Sequence, residues 1–318
     1  MKARLITSLA LASVITIAGC SQANQKESSQ QDRKQQGSSD VSLQEVTETF
    51  DGTLQHVHGM GYLDENSIAF AAHSGIKIYK DGEWLSSTYH QNDYMGFNVV
   101  EDGFYTSGHP GEQSDLPNPI GIQRGEVIKE DLTSLAFKGE SDFHAMGVGA
   151  RNEAIYVLNQ RSNSEMGQGL YKSTDDGENW QEIAAENLGE KIFQIAVHPD
   201  DENLVAVAGA TGIFLSEDGG EKFERISNQG QGSGLYFSDD KLYYGLYTGK
   251  PSMIEYNWED QAKKELSLPE LTEDAVMYIS KHPTKDGEYA IFTIKGSSYV
   301  TEDSGGSWEQ ILDHGQTK

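Results

Sequence analysis

"STDDGENW" at residues 173–180 has two close echoes, "SEDGGEKF" at 216–223 and "TEDSGGSW" at 301–308. All three read Ser/Thr-x-Asp-x-Gly-x-x-aromatic. Asp175 and Asp218 lie 43 residues apart, and Asp218 and Asp303 lie 85 apart, which is one period and two. The missing slot holds "IEYNWEDQ" with Trp258, and further upstream "IYKDGEW" carries Trp84 at the same phase. A degenerate copy, "GIQRGEVI", sits around Gly125. All four tryptophans therefore share one position of the repeat. Each unit opens with an apolar run ("VHGMGYL", "YMGFNVV", "FHAMGVG", "IFQIAVH", "GLYFSDD", "VMYISKH") and continues with a second ("SIAFAAH", "GFYTSGH", "AIYVLNQ", "LVAVAGA", "LYYGLYT", "YAIFTIK"). A third run precedes the Asp motif and a fourth follows it. Four short strands per unit at such a period predict propeller blades. Six units fit between residue 49 and the C-terminus, so the expected fold is an all-β, six-bladed β-propeller over 49–318.

The motif resembles the Asp-box, or BNR repeat, of sialidases, the sortilin family and a photosystem assembly factor. The resemblance implies that Asp175, Asp218 and Asp303 are structural and shape the turn between third and fourth strands. The local physics agrees, since a short carboxylate accepts hydrogen bonds from turn amides and glycine takes positive φ without penalty. Over the whole folded region, "HVHG", "YMGF", "SGHPG…LPNP" and "DFH" resemble a group of Gram-positive Asp-box propeller lipoproteins, which carry glycosyl-hydrolase-like or sortilin-like labels. That resemblance implies a glycosyl hydrolase as one functional alternative and a scaffold for membrane-protein assembly as another.

The N-terminus reads as an export signal. Lys2 and Arg4 precede the apolar stretch "LITSLALASVITIAG", which ends in "IAGC" at 17–20. This resembles a lipobox, and Cys20 is the only cysteine of the chain. The expected organisation is a signal peptide at 1–19, a lipidated tether at 20–48 and the propeller at 49–318. "SQANQKESSQQDRKQQGSSD", residues 21–40, has too few apolar residues to order itself. The expected location is the extracytoplasmic face of the cell membrane, with a palmitate-type lipid on Cys20 as the membrane partner and the propeller monomeric. The net charge of −26 argues against a nucleic-acid partner, because phosphate binding needs basic patches.

A sialidase-like site needs a cluster of arginines to grip a carboxylate. The folded region has only Arg124, Arg151, Arg161 and Arg225, and the repeat phase scatters them, with Arg124 at a third-to-fourth-strand turn. A different glycosidase needs only two carboxylates. Asp93, Asp142 and Glu112 are the weak catalytic candidates, among other rim acids (Asp115, Glu140, Glu273, Asp274) expected in so acidic a chain.

The histidines carry the sharper signal. In a propeller the first strand of a blade starts, and the second ends, at the entrance face. His198 and His282 fall in turns at the other end, His90 in a linker and His314 in the tail. His58 and His144 occupy one phase in blades 1 and 3, with Met95 there in blade 2. His73 and His109 close second strands, and His56 lies a step nearer the entrance than His58. "HVHGMGY" (56–62) reads as a strand whose alternation puts His56, His58 and Met60 on one face. Five imidazoles from three blades are thus expected to converge on the upper channel, with Met95 and other methionines among them. This donor set suits copper, or zinc where carboxylates join it. A pocket for a small polar molecule or glycan, or plain blade packing, would use the same residues. The insertion at 107–121, "SGHPGEQSDLPNPIG", is expected to wall or cover this site.

Overall fold

The computed structural model describes residues 42–189 and 191–318. Cys20, the signal segment and most of the expected tether lie outside the described residues.

Six antiparallel sheets follow one another along the chain. Blade 1 is built from Gly59–Asp64, Ser67–Ala72, Gly75–Lys80 and Glu83–Ser87, and blade 2 from Asp93–Val100, Gly103–His109, Ile122–Gly125 and Leu132–Ala136. Blade 3 has Met146–Val148, Ile155–Asn159, Gly169–Ser173 and Gln181–Ile183, and blade 4 has Ile192–Val197, Val205–Gly209, Gly212–Ser216 and Glu224–Arg225. Blade 5 has Gln231–Phe237, Leu242–Tyr247, Pro251–Tyr256 and Lys263–Leu266. Blade 6 has Val276–Lys281, Tyr289–Thr293, Ser298–Thr301 and Glu309–Asp313, then the short Gln316–Thr317. The fold is the expected all-β, six-bladed propeller.

The core is divided among the seams between blades, one apolar cluster to each. This explains the continuous apolar runs of the second strands. Ser67–Ala72 and Val205–Gly209 are buried at every position, because each is covered by a neighbouring blade on both faces. Outer strands such as Lys263–Leu266 are mostly exposed and correspondingly charged. The small residues of first strands permit the seams to close. A Cβ on Gly59 would lie 2.6 Å from the Phe97 carbonyl oxygen, and one on Gly147 2.7 Å from that of Ile195.

The three close repeats form one turn three times. Ser173, Ser216 and Thr301 each donate a hydroxyl hydrogen to Oδ1 of Asp175, Asp218 and Asp303, at 2.8, 2.7 and 2.9 Å. The same hydroxyls accept from the amides of Gly177, Gly220 and Gly305, at 2.9, 2.9 and 3.0 Å. The aspartates accept from the amides of Asn179, Lys222 and Ser307. The aromatic residue that follows reaches the preceding blade: Trp180 packs on Phe137 and the Trp308 indole donates to the Ser267 carbonyl. Arg124 differs from expectation. It lies within a third strand rather than in the turn, where it pairs with Glu153 of blade 3.

His198 and His282 are turn residues, as expected. Nδ1 of His198 accepts from the amides of Asp200 and Asp201, and Nδ1 of His282 from those of Thr284 and Lys285. Each Nε2–H then donates to a carbonyl of the next blade, Asp239 for one and Glu65 for the other.

Ring closure draws on residues expected to belong to the tether. Residues 42–48 are not tether: a 3-10 turn at Leu43–Glu45 leads to a strand, Thr47–Thr49, paired outside Glu83–Ser87 of blade 1. The following residues cross to blade 6. Thr53 bridges Gln316, the Leu54 amide donates to the Gly315 carbonyl at 2.7 Å, and the Thr317 amide donates to the Gly52 carbonyl at 3.1 Å. Residues 47–54 therefore tie blade 1 to blade 6.

Candidate functional site

A left-handed residue shapes the start of blade 1. His56 has φ of +50°, and the strand begins only at Gly59, so the alternation expected across "HVHGMGY" fails at its first half. The His58 amide still pairs with the Ala71 carbonyl at 2.8 Å. This turns the exposed His56 ring onto His73, where the two stack with centroids 4.7 Å apart. His58 stacks on the same His73 at 5.0 Å, and its edge meets His144 of blade 3 at 6.3 Å. Nε2 of His58 and Nε2 of His73 face each other at 3.0 Å.

Two carboxylates join the imidazoles. Asp93 opens the first strand of blade 2, and its Oδ1 lies 3.7 Å from His73 Nε2. That oxygen is shielded from solvent and has no hydrogen-bond partner among the described residues. Asp142 precedes blade 3, and its Oδ2 lies 3.4 Å from His109 Nε2 and 3.3 Å from His144 Nδ1. The five expected histidines thus form one chain of contacts across blades 1 to 3. One ligand atom each from His58, His73 and Asp93 fits within 4.8 Å of the others.

Burial pushes the His58 imidazole down to about 4, helped by neighbouring His73, His144 and His56. It is neutral at pH 7, with a lone pair on one ring nitrogen.

The methionines behave differently from expectation. Met60 packs in the seam between blades 6 and 1 beside Phe70 and Trp84, and Met146 in that between blades 2 and 3 beside Phe143. Met95 is buried within blade 2, opposite Ser107. The contacts joining the imidazoles run through nitrogen and carboxylate oxygen, not through thioether sulfur. The central cavity, about 690 Å³, is lined by first strands such as Gly61, Val148 and Ile279 and by turns such as Arg151 and Pro199, and by none of the five.

Of the catalytic candidates, Asp93 and Asp142 face imidazoles, and Glu112 is exposed on the insertion. Asp274 accepts two backbone amides and Glu140 one, which are structural roles. The insertion does reach the site: Asn118 Oδ1 accepts from His109 Nδ1 at 2.7 Å. The sequence offers Asp93 and Asp142 as weak catalytic candidates rather than as partners of the histidines, and gives Asn118 no part. A signal for the carboxylates was present, since both stand two residues before Met95 and His144, the phase that His56 holds in blade 1.

Neither a protein-family profile nor a curated protein matches the chain. Among solved structures it is similar to the GH74 xyloglucanase from Xanthomonas campestris, at 14% identity over 84% of this chain and 46% of that one, with a TM-score of 0.52. It is also similar to the GH74 enzyme from Niastella koreensis, at 13% identity over 83% and 46%, with a TM-score of 0.55. A chain of a nidogen/laminin complex matches at 13% identity over 80% and 95%, with a TM-score of 0.58. The chain spans less than half the length of the two GH74 enzymes. At these identities the likeness is one of fold.

Proposed function

We propose that the protein is a lipid-anchored, extracytoplasmic propeller that binds a transition-metal ion, of which zinc suits the donors best, through His58, His73 and Asp93. The observation that carries this reading is the 3.0 Å approach of two imidazole nitrogens beside a buried, unpartnered carboxylate oxygen. Tetrahedral zinc with bonds near 2.0–2.1 Å sets its ligand atoms about 3.3 Å apart, close to the separations found here. A neutral His58 has no proton to displace on binding. Three protein donors leave a fourth position for water, for the adjoining His56 or for a bound molecule. Imidazole with carboxylate favours zinc, whereas Cu(I) selects thioethers, and Met60 and Met146 belong to the seams.

The anchoring half of the proposal rests on the sequence "IAGC" and the single Cys20. Changing Cys20→Ser is expected to move the protein from the membrane fraction to the medium. For the metal, the purified protein is incubated with zinc, freed of unbound ion, and its metal measured by mass spectrometry. Bound zinc that falls by one equivalent in a His58→Ala/His73→Ala variant supports the assignment. A wild-type protein that retains no zinc at micromolar free metal overturns it.

A further inference from the structure

The central cavity opens away from the histidines. Its exposed lining side chains, such as Glu65, Glu101 and Asp286, stand in turns between first and second strands. Those turns form the end of each blade opposite His58 and His73, so the mouth lies there. At about 690 Å³ the cavity falls within the size range of small-molecule sites.

Charge is confined to the mouth. Every charged side chain of the lining stands in one of these turns or at the strand end beside it, and the deeper walls are apolar first-strand residues such as Val99, Ile195 and Leu235. The two basic groups of the mouth are already neutralised, Arg151 by Asp200 and Asp239, and Lys281 by Asp286. The carboxylates of Glu65 and Glu101, from blades 1 and 2, have neither an ion pair nor a hydrogen bond among the described residues. A mouth of one sign with low-dielectric walls concentrates ions of the other sign.

Two phenols face the cavity from the other side of the ring. Tyr236 of blade 5 and Tyr278 of blade 6 hold one phase of the repeat, in "GLYFSDD" and "VMYISKH". Neither hydroxyl has a hydrogen-bond partner among the described residues. Other well-covered tyrosines do: Tyr62 donates to Glu288 at 3.0 Å, Tyr105 to Asp176 at 2.7 Å and Tyr156 to the Glu202 carbonyl at 2.8 Å. Burial keeps both cavity phenols protonated at neutral pH, with Tyr236 pushed up to about 12 and Tyr278 also raised. A neutral phenol oxygen still accepts from a donor that enters the cavity.

We infer that the central cavity binds a small aliphatic polyamine, a cation whose ammonium groups are spaced along an apolar chain. Glu65 and Glu101 hold one ammonium at the mouth. The oxygens of Tyr236 and Tyr278 accept from another, and the apolar walls cover the methylenes. Anions are repelled at the mouth, and the inner walls offer no carboxylate to a bare metal ion. None of the five histidines lines this cavity, so the inference stands apart from the metal reading.

Spermidine is the probe. Purified full-length protein, freed of metal by a chelator, is titrated calorimetrically at physiological salt, with circular dichroism to verify folding of each variant. The wild type is expected to bind one equivalent. Tyr236→Phe/Tyr278→Phe keeps both rings and removes the oxygens, and is expected to weaken binding about tenfold. Glu65→Gln/Glu101→Gln is expected to weaken it about threefold and to reduce its salt dependence. His58→Ala/His73→Ala is expected to change nothing. A wild type that does not bind at millimolar spermidine overturns the inference. So does binding of equal strength in the tyrosine variant, which is diffuse attraction to an acidic surface. Tighter binding of a neutral trisaccharide overturns the cationic class, and loss of spermidine binding in the histidine variant overturns the location.

Discussion

The Nε2 atoms of His58 and His73 face each other at 3.0 Å, because His58 precedes the first strand of blade 1, His73 follows the second, and antiparallel pairing brings those two ends together. Either one ring donates its N–H to the other, or both lone pairs address a shared ion. In both cases protonating the pair sets two positive rings against each other.

This has a consequence for pH. His58 is held at about 4 in the fold, first by burial, against about 6.5 for an unfolded histidine. A depressed imidazole adds stability that is complete above about pH 6.5 and is lost as pH falls towards 4, because the unfolded chain takes up the proton first. Side-chain NMR of metal-free protein is expected to place the His58 midpoint near 4. His73→Ala should move it upwards, since it removes one charge and opens the site to water. A midpoint near 6.5 in the wild type would contradict the packing described.

Gly59 tests the seam beneath the site. An added Cβ meets the Phe97 carbonyl at 2.6 Å and its Cβ at 2.7 Å. Gly59→Ala is expected to destabilise the fold by about 1–3 kcal/mol, the usual cost of overpacking. It should also weaken zinc binding, because blades 1 and 2 carry His58 and Asp93 respectively. Denaturant titration and metal titration of one preparation check both effects.

Ser216 tests the repeated turn. Its buried hydroxyl accepts from the Gly220 amide and donates to Asp218. Ser216→Ala is expected to lower stability by about 1–3 kcal/mol, since a buried amide loses its acceptor. The turn amides and side chains, led by those of Asn179, Lys222 and Ser307, hold Asp175, Asp218 and Asp303 below the usual carboxylate range. Carboxyls so depressed contribute stability above their unfolded value of about 3.8 that is lost as pH falls through the folded values. An acid-unfolding midpoint that does not move towards higher pH in Ser216→Ala would argue against this account.

Ring closure separates the two stretches before the blades. Removing residues up to 41 is expected to leave the unfolding midpoint unchanged, whereas removing residues up to 54 deletes the pairing with Glu83–Ser87 and the bonds to Gly315 and Gln316. Thermal unfolding of the shorter chain should begin at lower temperature, with blades 1 and 6 the first to lose amide protection in hydrogen exchange.

The sequence by itself determined the period, the number of blades and the structural turns, because these are local. Ser216, Asp218 and Gly220 meet within a few residues, and a run such as "LVAVAGA" is apolar because blades cover both its faces. The repeat phase also brought His56, His58, His73, His109 and His144 to one face, since it carries position along a strand into position in the ring. The tertiary structure alone decided what they meet there. The left-handed turn at His56 breaks an alternation that composition cannot reveal, and it directs that ring onto His73. Met60 and Met146 share the periodicity of the histidines, but the seams offer them apolar partners from blades 6 and 2. Asp93 and Asp142 joined the site through blade-to-blade contacts with His73 and His109, and Asn118 through its bond to His109 across the insertion of blade 2. Closure depends likewise on residues 52–54 and 315–317, whose meeting is a property of the finished ring.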